Sequence, residues 1–147
     1  MSLNEPDVVI RSAVDGDRDG VARLHGGPPT GAQRVAWREM MAAPGLTVYV
    51  ADRGGEVVGT LSVLVMPNLG YEGRPSAFLE AMVVDPGWRR RGVGRRLVER
   101  ALGDLRAAGC RKVQLLSHKR HADDGAHAFY RDLGFAAEAE GFRLYLD

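Results

Sequence analysis

Met82-Val83-Val84-Asp85-Pro86-Gly87-Trp88-Arg89-Arg90-Arg91-Gly92-Val93-Gly94-Arg95-Arg96-Leu97 is the stretch on which the reading of this 147-residue chain turns. An apolar run stops at Asp85-Pro86-Gly87, a tight turn, and helical periodicity opens at Val93, so the order is strand, turn, helix. Glycines in such a turn let backbone amides approach a ligand, and amides at a helix N-terminus carry partial positive charge that suits phosphate. Five arginines fall among residues 89 to 96. Basic residues at a helix start oppose the helix dipole and cost stability unless an anion compensates them, so this local misfit points to anion binding.

Upstream of this stretch, Ala77 to Val84 reads as a strand, preceded by the loop Pro67 to Pro75. Leu46 to Ala51 and Glu56 to Met66 flank Arg53-Gly54-Gly55 and predict a hairpin, giving three consecutive antiparallel strands. Further back, Val8 to Ala13 predicts a first strand. One helix runs from Asp15 or Asp17 to about His25, the joint Gly26 to Gly31 interrupts it, and a second helix covers Ala32 to Ala43 with Val35, Met40 and Met41 as its buried candidates. Downstream, Val93 to Ala108 carries Val93, Leu97, Val98, Ala101, Leu102, Leu105 and Ala108 on one helical stripe that stops at Gly109. A strand at Lys112 to Ser117, a helix at Ala122 to Leu133 and strands near Phe135 to Glu140 and Phe142 to Leu146 complete an α/β chain.

Size and composition bound what such a chain can do. At 45% apolar content, 147 residues build one core, so a single domain over 1–147 is expected. Lys and Arg number 20 against 19 Asp and Glu, which gives no global attraction to nucleic acid or to an anionic membrane. Cys110 has no second cysteine to pair with, the start MSLNEPDVVIR lacks the pattern of a secretory signal, and no apolar run approaches the ~20 residues of a membrane span. A cytoplasmic location without a membrane partner is the expectation. Leu97 stands where Gly-x-Gly-x-x-Gly needs its third glycine, and no Gly-Lys-Ser/Thr is present, so neither the dinucleotide fingerprint nor the P-loop applies.

Arg89-x-x-Gly92-x-Gly94 after a strand ending Val-Val-x-Pro resembles the Arg/Gln-x-x-Gly-x-Gly/Ala signature of the GNAT superfamily of N-acetyltransferases. Ala126-His127-Ala128-Phe129-Tyr130-Arg131-Asp132-Leu133-Gly134-Phe135 is similar to that family's A-x-x-x-Tyr-x-x-x-Gly-Phe helix. The resemblance covers Glu56 to Phe135, and the first ~45 residues carry little of it. It implies a mixed, mostly antiparallel central sheet of six to seven strands flanked by about four helices. It also implies transfer of acetyl from acetyl-CoA to an amine, without a metal, and it allows a homodimer.

Carried over position by position, the resemblance places the pantetheine arm of coenzyme A beside the backbone of Met82, Val83 and Val84. Arg89, Arg90, Arg91, Gly92, Val93, Gly94 and Arg95 then wrap the pyrophosphate. Tyr130 takes the place of the general acid for the departing thiolate. A tyrosine hydroxyl, with a pKa of about 10, is mostly protonated at neutral pH. Asp123 falls where the family often has an asparagine near the coenzyme, and an ionised carboxylate can accept a hydrogen bond there but not donate one.

For a base, period-two alternation puts Glu80 on one strand face with Phe78, Met82 and Val84, and partial burial there would make it a better proton acceptor. A salt bridge or a backbone anchor is an equal reading of Glu80, and many GNAT proteins use water or a backbone carbonyl instead. His118, His121 and His127 lack accompanying ligands at metal spacing, so no metal site is expected. The acceptor is expected to be a small-molecule amine, with a loose preference for an anionic one drawn by Lys119-Arg120-His121. A protein or peptide acceptor and a non-catalytic coenzyme-A-binding module are the alternatives. Nucleic-acid binding is not expected, since interleaved aromatics and a basic excess are both missing.

Overall fold

The computed structural model describes residues 7–147, so readings that rest on Met1 to Pro6, including the absence of a secretory signal, lie outside the described residues. The chain forms two compact units, Met1–Gln114 and Leu115–Asp147. In the first, β1 (Val9–Ser12), α1 (Arg18–Leu24), α2 (Gly31–Ala42), β2 (Leu46–Arg53), β3 (Glu56–Met66), α3 (Gly70–Gly73), β4 (Ser76–Val84), α4 (Val93–Ala107) and β5 (Lys112–Gln114) follow in order. The strands make one sheet in the order β1-β2-β3-β4-β5, antiparallel except for the parallel β4–β5 pair.

Both sheet faces are covered, which is why Val48 to Ala51 are buried without a polar interruption. Alternation sends Val48 and Val50 to one face, where they meet Val21 of α1, Trp37 of α2 and Val57. Tyr49 and Ala51 turn to the other face, where α4 lays down Val93, Leu97, Val98, Ala101 and Leu105, all buried at helical spacing. A fully buried aliphatic side chain contributes about 1.5–3 kcal/mol, so this stripe is a principal reason that α4 stays seated on the sheet. Gly59 lets it seat closely. A Cβ there would come within 2.9 Å of Val93 Cγ1 and 3.2 Å of Leu97 Cδ1. The Tyr49 hydroxyl donates to Asp104 of α4 at 2.6 Å, and burial first, then that carboxylate, pushes its pKa upward, so it remains the donor.

On the adjacent strand, Arg11 of β1 donates to both carboxylate oxygens of buried Asp17, at 2.7 and 2.9 Å, and also reaches Asp52 of β2. The Arg11 hydrogen bond holds the Asp17 carboxyl below the usual range.

The second unit holds α5 (Ala126–Asp132), a short 3-10 turn at Lys119–His121, and no strand. In place of the expected six to seven strands there are five among the described residues, and the strands read at Phe135 to Glu140 and Phe142 to Leu146 do not form. Their alternation is real, but a strand exists only where a ladder partner supplies hydrogen bonds. Phe142, Leu144 and Leu146 stand 87%, 84% and 92% exposed.

Among the described residues the expected helices, about four, are joined by a fifth, α3, a single turn inside the predicted loop 67 to 75. Tyr71 and Glu72 there have φ of 53° and 58°, left-handed values that helical periodicity does not signal. Val35, expected to be buried, is 46% exposed, and Trp37 takes the core position of α2. The remaining elements match the expected order with shifted ends, most visibly β5, which stops at Gln114.

Candidate functional site

The expected coenzyme residues from Met82 to Arg95 all lie in the first unit, where β4 hands over to α4. β4 runs regularly against β3 until Ser62 faces Glu80, then Thr60 faces Val83. One residue of β3 thus stands against two of β4, a bulge, and Ala81 within it takes φ 54°. On the opposite edge, β5 pairs only with Ser76, Ala77 and Phe78. From Leu79 to Val84 the β4 edge beyond β5 has no strand partner among the described residues, and apart from the Val84 carbonyl, which accepts from Arg89, it offers amides and carbonyls to an extended ligand.

The bulge also corrects an expectation. Glu80 shares its face with Val83, through their partners Ser62 and Thr60, and not with Met82 and Val84. Phe78 stays on that face, but Glu80 is exposed, so the partial burial expected for it is absent.

Beyond β4, Asp85 accepts from the Gly87 amide at 2.8 Å and shapes a 3-10 turn at Pro86–Trp88. Arg89 Nε donates to the Val84 carbonyl at 3.3 Å and holds the turn against the strand end. Arg90 and Gly92 then take φ of 61° and 83°. Gly92 is the N-cap of α4 and supplies no side chain, and the first helical bond runs from the Arg96 amide to the Gly92 carbonyl. The amides before Arg96 are left without an intrahelical partner and point out of the helix start. No acidic residue occupies that first turn. This arrangement suits an anion.

Arg23 and Leu24 at the end of α1 share a pocket of about 180 Å³ with Val83, Val84 and Arg89. Arg23 is anchored through a 3.2 Å hydrogen bond to the Val57 carbonyl. Neither Arg23 nor Leu24 was legible as a site residue, because nothing in the α1 pattern shows which β4 residues its last turn will meet.

In the second unit, the Tyr130 ring is held edge-on by Phe129 at 5.1 Å and Phe135 at 5.9 Å between centroids. Burial raises the pKa of its hydroxyl. The group is therefore a proton donor over a wider pH range than free tyrosine. His118 Nδ1 accepts from the Arg120 amide, His121 pairs with Asp124, and Asp124 also accepts from the Ala126 amide at the start of α5. The His121 hydrogen bond and that amide keep the Asp124 carboxyl below the usual range. It is Asp124 rather than Asp123 that is engaged at this helix start, and Asp123 is exposed. Among the described residues, no three His, Cys, Asp or Glu gather as a metal site, and no helix is long and apolar enough to cross a membrane.

The chain is similar to known acetyltransferases. The model of the Acetyltransferase (GNAT) family matches residues 20–135, beginning well before the motif-bearing stretch. A glucosamine 6-phosphate N-acetyltransferase of Trypanosoma brucei brucei is 31% identical over 121 residues, 81% of this chain and 79% of that protein. An aminoglycoside N(6')-acetyltransferase type 1 of Stenotrophomonas maltophilia is 38% identical over 95 residues, 63% of this chain and 61% of that one. Among solved structures, a candidate acetyltransferase of Agrobacterium tumefaciens str. C58 superposes with a TM-score of 0.87 at 35% identity, covering 93% of this chain and 99% of its own.

Proposed function

The chain belongs to the GNAT family of acetyltransferases, and from that premise we propose that it carries an acetyl group from acetyl-CoA to the amine of a small, negatively charged molecule. The observation that carries the coenzyme part is the uncapped amide row at the start of α4, set among arginines and next to an unpaired stretch of β4. Those residues suit a ligand with an extended amide-bearing arm and a diphosphate. Bound acetyl-CoA supplies an activated thioester.

In this reading the edge of β4 around Met82, Val83 and Val84 orients the arm. The amides of Val93, Gly94 and Arg95 and the side chains of Arg89 and Arg90 hold the diphosphate. Tyr130 keeps its proton at the hydroxyl and yields it to the sulfur that departs. Glu80, exposed and in reach of water, accepts the amine's proton through that water. Glu80→Gln should then lower kcat/KM about tenfold with the coenzyme Kd unchanged; an unaltered rate and pH profile would assign the proton to water alone.

Two relatives support a small acceptor, since one is named for glucosamine 6-phosphate and the other for aminoglycosides. The basic run Lys119-Arg120-His121 favours the anionic kind.

Calorimetric titration with acetyl-CoA, NAD and ATP tests the premise of the mechanism. Saturable binding of acetyl-CoA alone, followed by thiol release when amino-sugar phosphates are added, is the expected result. Equal binding of NAD or ATP, or no binding at all, would reject it.

A further inference from the structure

Arg53 lies at the end of β2 in the hairpin turn, far in sequence from the turn that carries Trp88. In the fold its guanidinium carbon stands 4.9 Å from the centroid of the Trp88 ring. Arg91 reaches the same ring at 4.9 Å. Both charges are thus gathered on one indole and held within about 10 Å of each other by cation–π attraction.

Among the described residues neither guanidinium has a carboxylate partner. Glu56 stands opposite Arg53 in the β2–β3 ladder without forming an ion pair, whereas Arg95 is paired with Glu99 and Arg100 with Asp104. Two like charges held together without a counter-charge repel each other, and a doubly charged anion between them would relieve that repulsion.

The amides at the α4 start are a separate locus. They suit a diphosphate, and they follow Trp88 in the chain after Arg89 to Gly92. Coenzyme A carries a diphosphate and, one ribose away, a phosphate monoester at the 3′ position. We propose that Arg53 and Arg91, gathered on Trp88, form a phosphate-monoester subsite, and that the monoester is the 3′-phosphate of coenzyme A. The assignment rests on the coenzyme reading above and extends it to Arg53 and Trp88, which no signature of the loop includes. It makes the β2–β3 turn a reader of the coenzyme's adenosine end, separating coenzyme A from its dephosphorylated precursor.

Calorimetry on the full chain and on Arg53→Gln, each titrated with coenzyme A and with 3′-dephospho-coenzyme A, tests this. The unaltered protein should bind coenzyme A about tenfold or more tightly over the dephospho form, as expected of charge-assisted contacts to one phosphate. Arg53→Gln should lose most of that preference by weakening coenzyme A alone. If the unaltered protein binds both forms equally, or if Arg53→Gln weakens both alike, the subsite is wrong while the coenzyme reading stands. If it binds neither form, both readings fall together.

Discussion

Tyr130→Phe should lower kcat by about 10²- to 10³-fold while leaving the Kd for acetyl-CoA within twofold of the unaltered value. The substitution removes one oxygen and keeps the ring, so the edge-on contacts with Phe129 and Phe135 survive and the melting temperature should hardly move. What is lost is the proton held at the hydroxyl. Burial raises the pKa of that hydroxyl, and a general acid works only while protonated, so the sign is fixed. The loss of rate at alkaline pH caused by its ionisation is displaced to values above those of free tyrosine, and the neutral range is untouched. In the phenylalanine variant that alkaline limb should vanish altogether. A variant that keeps its kcat would make Tyr130 a packing residue of α5 and no more. A variant that loses coenzyme affinity in proportion to rate would place the hydroxyl in ground-state binding.

How much of this could be read from the sequence depended on whether a residue type announces its backbone. Gly92 before a helical stripe announces a left-handed start for α4, and the loop was legible for that reason. Ala81 announces nothing, since alanine rarely takes a positive φ, and the bulge it creates turned the expected face of Glu80 into the wrong set of neighbours. Arg53 and Arg23 reach the region of the loop from a hairpin and a helix end, through pairing that a linear pattern does not contain. The stripe of α4 was read nearly residue by residue because fifteen residues of one period leave little choice. Phe142 to Leu146 misled for the converse reason: an alternating pattern specifies which face would be buried, and the ladder must come from elsewhere.

Gly92→Val should weaken acetyl-CoA binding by about 100-fold or more and cost comparatively little stability. At φ 83° a β-branched residue is strained by roughly 1–3 kcal/mol. The chain can escape that strain by rotating Gly92 into an ordinary conformation. No heavy atom lies within 4 Å of where its Cβ would stand, so crowding does not oppose the change. The escape, however, re-aims the peptide units on either side of the α4 start. Each hydrogen bond from an amide to a charged phosphate contributes about 1.5–3 kcal/mol, and tenfold in affinity is 1.4 kcal/mol, so misdirecting one or two of them accounts for the expected loss. The buried stripe from Val93 to Leu105 does not depend on those amides and keeps the helix on the sheet. Calorimetry and thermal denaturation on the same preparation separate the two effects. A variant that melts much earlier yet binds acetyl-CoA as before would show that Gly92 serves the turn alone, and the diphosphate would then have to be held by the arginine side chains.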